Sequence, residues 1–230
     1  MMILFHPMDF LIFIAFGIAL WAQFKVKGNF NRWSQVRSSC GMTGAEVARR
    51  ILDSEGLYHV DVELSRGGML SDHYDPIARK VRLSEEVYYG NSIASLSVAA
   101  HETGHAIQHK VSYPMLVLRH RIFPIANFGS SLAPLLLIAG FLFKATGLIG
   151  LGILFYAGAV AFQLVTLPVE FNASARAGRK LVEMGFLRQE EMPGVRKVLG
   201  AAALTYVASA LVALLELIKY VMIFASAREE

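Results

Sequence analysis

A chain of 230 residues that is 55% hydrophobic and only 17% charged falls below the roughly 25% charge of an ordinary soluble domain, so its balance is that of a membrane protein with a modest polar part. The net charge of +4 comes without the basic and aromatic interleaving of a nucleic-acid surface, which excludes nucleic acid as a partner. The one cysteine, Cys40, excludes an intrachain disulfide and a cysteine-rich metal site.

The first apolar run is FLIFIAFGIALWA, residues 10–22. It is short for a span of about twenty residues, but Pro7, Met8, Gln23 and Phe24 can extend the helix into the interfaces. Nothing basic precedes it, whereas Lys25 and Lys27 follow it directly, which predicts a retained anchor with its N-terminus outside.

The polar stretch that follows alternates helix and strand signals. Thr43-Gly44-Ala45-Glu46 reads as a capping box that opens an amphipathic helix ending at Gly56. Val60 to Leu64 alternates like a strand, and Arg66-Gly67-Gly68 turns the chain. Met69–Tyr74 and Lys80–Leu83 predict a hairpin across Asp75-Pro76. Ser84 is placed to cap a short helix, and Asn91 or Ser92 to cap the next one.

That next helix carries His101-Glu102-Thr103-Gly104-His105, an H-E-x-x-H. On a helix His101 and His105 stand one turn apart on one face and can chelate a single zinc ion. Glu102 then reaches a water beside the metal rather than the metal itself. His109 continues the same face, as a surface residue or a support to the site rather than a ligand. The alternative of a motif buried in a membrane span conflicts with Glu102, Gln108, His109 and Lys110 on one helix.

Two longer runs follow, with no charge in residues 122–143 or 145–167 and only Lys144 between them, so they predict a tight transmembrane hairpin. Pro124 and Pro134 lie in the first arm, and Gly147, Gly150, Gly152 and Gly158 in the second are expected at helix-packing contacts. A last run from Val198 continues past Glu216 and Lys219, which at a spacing of three are expected to pair on one face. Of the 22 Lys and Arg, 13 lie in residues 24–121 and six in 168–197. By the positive-inside rule both polar stretches belong on the cytoplasmic side. Four spans with few intramembrane charges also make a transporter a poor fit.

A catalytic zinc centre needs a third protein ligand. In PVEFNASARAGRK, which returns from the hairpin on the correct side, Glu170 leads, with Glu183 further on and Asp72, His73 and Asp75 as competitors before the motif.

The segments LSDHYDP, VRLSEEVYYGNSIASLSVAAHETGHAIQH and LPVEFNASARA together resemble the YugP-type neutral zinc metallopeptidases of bacterial membranes, over nearly the whole chain. More distantly the chain is similar to the HtpX and CAAX-prenyl proteases, in which Glu-x-x-Ala after a membrane hairpin supplies a ligand. The resemblance implies Zn2+ held by His101, His105 and Glu170, with Glu102 as the catalytic carboxylate. Asn172 stands where the YugP-type pattern leads one to expect Asp, and Ser174 where HtpX-type relatives carry Asp. Asn172 is therefore a candidate for orienting a ligand, and His73, Tyr74 and Arg176 are candidates for stabilising an oxyanion.

The expected fold is an α+β gluzincin-like metalloprotease domain, its motif helix beside a small antiparallel sheet, combined with about four transmembrane helices. The expected segments are an N-terminal membrane anchor (1–24), a cytoplasmic metallopeptidase part (25–121), a transmembrane hairpin (122–167), a cytoplasmic helix with the third ligand (168–197) and a C-terminal membrane helix (198–230). The implied activity is cleavage of a protein or peptide substrate by a multi-pass protein of the bacterial inner membrane, active site on the cytoplasmic side. The competing expectation is a zinc-stabilised membrane scaffold or chaperone.

Overall fold

The computed structural model describes residues 6–229, so the extreme ends of the two terminal segments, residues 1–5 and 230, lie outside the described residues. Helix dominates it. The elements are α1 (Pro7–Ser34), α2 (Gly44–Ser54), β1 (Asp61–Leu64), β2 (His73–Asp75), β3 (Lys80–Leu83), α3 (Glu85–Tyr88), α4 (Ile93–Lys110), α5 (Pro114–Leu142), α6 (Thr146–Glu183) and α7 (Met192–Glu229). Four of the helices are long and apolar enough to cross a membrane. The chain divides into two compact units, one of Met1–Ala22, Val117–Pro168 and Thr205–Glu230, the other of Gln23–Leu116 and Val169–Leu204.

The first unit is built from apolar helix. Phe10, Phe13 and Trp21 of α1 are more than half exposed, as expected of side chains that meet lipid. α5 and α6 turn back on each other through Lys144, which takes a left-handed conformation at φ 51°. Their approach is close: a Cβ on Gly140 would lie 2.8 Å from the Ile149 nitrogen, and one on Gly152 would lie 2.9 Å from the Leu137 side chain. Gly147 and Gly158, also expected at packing contacts, face nothing within 4 Å. Nor do Glu216 and Lys219 pair with each other. Lys219 bonds Asp9 of α1, and Glu216 accepts from the Tyr156 hydroxyl of α6. A partner on a neighbouring helix wins over one at i+3 because, where water is scarce, each polar group must be satisfied by whatever the packing brings closest.

The second unit has its own core, in which Val47, Ile51 and Leu52 of α2 meet Val81 and Leu83 of β3 and Leu96 and Ala99 of α4. The local signals that set its elements operate as read. Thr43 and Glu46 close the capping box reciprocally, and the Ser92 hydroxyl accepts from the Ser95 N–H at the start of α4. Ser84 does precede α3, but its hydroxyl turns away from the helix end and donates to Asp72.

The sheet departs from the expected antiparallel one. Its order is β1-β3-β2, with β3 antiparallel to β2 but parallel to β1. The β2–β3 hairpin forms over a shorter stretch than Met69–Tyr74, because Asp72 is drawn away from strand pairing to bond the Ser84 N–H (2.7 Å). The chain leaving β1 passes β3's place and returns through β2, so β3 inserts between the two strands. That buries Val81 and Leu83 of β3 completely. Pairing between strands distant in sequence is decided by which order covers those side chains, a choice that local alternation does not carry.

Candidate metal centre

α4 and α6 build the centre, and both parts of it lie in the second unit. His101 and His105 are one turn apart on α4, with ring centroids 4.8 Å apart and planes at 87°. Glu170 of α6 faces them, 3% exposed. Its Oε2 lies 3.3 Å from His101 Nε2 and 3.6 Å from His105 Nε2. One ligand atom from each of the three lies within 4.8 Å of the others. Two ligands at zinc bond lengths near 2.05 Å in a tetrahedron stand about 3.3 Å apart, so this donor set fits the ion that the motif predicts.

The other ring nitrogens are held. Ser174 Oγ meets His101 Nδ1 at 3.2 Å, and Gln108 Oε1 meets His105 Nδ1 at 3.0 Å. Both Nε2 atoms are thereby turned toward Glu170, the arrangement a metal-binding histidine needs. Gln108 is itself anchored: it is fully buried and its Nε2 donates to the Val169 carbonyl (2.8 Å) and to Asn172 Oδ1 (3.0 Å). Arg176 Nε donates to the same Asn172 oxygen at 2.8 Å. The Asn172 and Ser174 positions, where acids were expected, thus make uncharged hydrogen bonds into the centre. Burial works to lower the His105 imidazole, but Glu170, the nearby Glu102 charge and Gln108 hold it above the ordinary histidine value.

Glu102 follows His101 on α4, is 8% exposed and lies outside the ligand triad. The competitors for third ligand are engaged elsewhere. Asp72 bonds Ser84, and burial, opposed by the Ser84 N–H and reinforced by the Glu102 charge, raises its carboxyl to about 6. Asp75 accepts from Arg82 and from the Ile77 and Ala78 N–H groups. Glu183 stands 3.9 Å from Lys180. Among the oxyanion candidates, His73 meets Ser71 O and Arg82, Tyr74 OH bonds His109 Nδ1 at 2.8 Å, and Arg176 holds Asn172.

Two residues that position the centre escaped the sequence reading. Gln108 sits three residues after His105, on the motif's own face, and that spacing was the available signal. Gly104 lets the helices meet: a Cβ on it would lie 2.8 Å from Ala173 O and 3.2 Å from Ala173 Cα. Those atoms are backbone and cannot rotate aside. Gly104→Ala is expected to cost about 1–3 kcal/mol of stability and to weaken metal binding at the same time, read by thermal melting and zinc titration. Gln108→Leu, which keeps the volume and removes all three side-chain hydrogen bonds, is expected to weaken zinc affinity about 10–100-fold with the melting profile of the metal-free protein little changed.

A family model described as "Putative neutral zinc metallopeptidase" matches residues 8–225. The chain is 61% identical, over 221 residues that cover 96% of it and 98% of the relative, to "Putative membrane protease YugP" of Bacillus subtilis (strain 168). No solved structure matches the chain.

Proposed function

The chain belongs to the family described as "Putative neutral zinc metallopeptidase", and from that premise we propose that it is an integral-membrane, zinc-dependent endopeptidase of the gluzincin type whose active site faces the cytoplasm. The observation that carries the reading is the gathering of His101, His105 and Glu170, with Glu102 beside them on the same helix. Zinc held by that triad supplies Lewis acidity toward a peptide carbonyl and an attacking water. Glu102, a buried carboxylate, takes the proton of that water and delivers it to the leaving amine nitrogen. Gln108 and Ser174 keep the imidazoles aimed while this happens. The β2 edge of the sheet, tied to α4 through Tyr74 and His109, offers a backbone along which an extended peptide can add as a strand. The concentration of Lys and Arg in residues 24–121 and 168–197 supports the cytoplasmic placement.

The scaffold alternative is favoured by uncharged residues at 172 and 174, where the family patterns lead one to expect acids. Asn172 and Ser174 both bond into the centre, which supports the enzyme reading.

The test is casein cleavage by the full chain in detergent, with zinc content measured on the same sample. About one zinc per chain is expected, with activity abolished by a chelator and restored by added zinc. Full activity in chelated, zinc-free protein would refute the proposal.

A further inference from the structure

The first unit holds a cleft of its own. Between α5, α6 and α7 lies a cavity of about 420 Å3, whose lining includes Asn127, Gln163 and Ser209. Its other hydroxyls include one satisfied within its own helix, as Thr166 donates to the Phe162 carbonyl at 2.9 Å. The Asn127 and Gln163 amides differ, since among the described residues neither side chain has a hydrogen-bond partner. Asn127 is exposed to the cleft and Gln163 half-buried in it.

Both amides lie inside apolar runs. Asn127 is five residues beyond Ile122, where the first charge-free run starts, and Gln163 is four residues before Leu167, where the second ends. At 1.5 Å per residue each is about 6–8 Å inside its run. A free amide at that depth is costly, and polar residues retained there mark a binding path.

We propose that this cleft binds the unwound backbone of a polypeptide segment embedded in the bilayer. Each primary amide offers both donors and an acceptor. Those are the complements of the C=O and N–H groups that a membrane segment exposes when its helix is interrupted, and that nothing in the hydrocarbon can satisfy. A lipid phosphate offers acceptors alone and would leave both amide oxygens unmatched. The charged lining residue, Arg119, packs its guanidinium 5.9 Å from the centre of the Phe162 ring. Resting on the peptidase reading, the occupant is the membrane segment of a substrate, and the substrate class is membrane proteins with an interrupted span. α6 carries both Gln163 and, seven residues on, Glu170.

The experiment reads binding without turnover. The Glu102→Gln protein is reconstituted in phosphatidylcholine–phosphatidylglycerol vesicles with a benzophenone amino acid replacing Phe123, an exposed aromatic of the cleft. Two leucine–alanine peptides of about twenty residues are offered, one uninterrupted and one broken by Gly-Pro-Gly near its end. The broken peptide is expected to be labelled about five-fold more, and Asn127→Leu with Gln163→Leu to erase the preference. The single Gln163→Leu variant serves if the double one loses its fold, which casein cleavage in the otherwise wild-type chain reports. Equal labelling of the two peptides, or a preference that survives the substitutions, overturns the proposal. Labelling of a second copy of the chain, or of lipid in place of peptide, overturns it too and assigns the cleft to that occupant. A chain without peptidase activity would still show the binding, and failure of the cleft would leave the casein result standing.

Discussion

Glu102→Gln is expected to reduce casein turnover about 10²–10⁴-fold while the protein retains its full zinc content. Glutamine has the same shape and keeps the buried position of Glu102 filled, so α4 and the ligand triad are left undisturbed. What is lost is the acceptor for the attacking water's proton, and with it the proton returned to the leaving amine. In the proposed mechanism Glu102 acts on the reacting atoms and holds no part of the peptide, so the loss is expected in kcat with little change in substrate binding. Turnover at the wild-type rate would remove Glu102 from the role assigned to it.

Glu170→Ala is expected to weaken zinc binding about 10²–10³-fold, the share of one ligand in the binding energy of a complete site. Glu170 differs from the other two candidate ligands in coming from α6, so an ion bound by all three would tie α6 to α4. Binding energy of that kind is also folding energy. Zinc at a hundred times its dissociation constant should stabilise the wild-type chain by about 3 kcal/mol, seen as a melting temperature that falls on chelation. The Glu170→Ala chain should melt at the same temperature with and without chelator. If it loads zinc and responds to chelation as the wild type does, the third ligand lies elsewhere.

The helix boundaries and the motif were legible because their causes are local. A capping box uses groups three residues apart, so Thr43 and Glu46 announce the start of α2 by themselves. The one-turn spacing of His101 and His105 likewise places both imidazoles on one face whatever surrounds α4. Charge-free runs of 22 and 23 residues, 122–143 and 145–167, read directly as helices long enough to cross a bilayer.

Other features depend on which segments meet. The i, i+3 rule brings Glu216 and Lys219 near each other but says nothing of Tyr156 and Asp9, which outcompete that pairing. Alternation marked β1 and β3 as strands, yet their parallel pairing follows from the burial of Val81 and Leu83 in a core shared with α2 and α4. The closeness of Gly104 to Ala173 is likewise set by the meeting of α4 with α6, which neither segment specifies alone.

By itself, then, the order of residues along this chain determined its helices, their apolar stretches and the chelating face of α4, each a matter of periodicity within a few turns. Tertiary structure alone decided the approach of α4 to α6 and the bonding of Ser174 and of Asn172, through Gln108, to the two imidazoles. It alone also brought the Asn127 and Gln163 amides into one cleft, without hydrogen-bond partners among the described residues. The physical reason is that a hydrogen bond or a close backbone approach is a property of two surfaces, and the sequence of either one specifies only its own side.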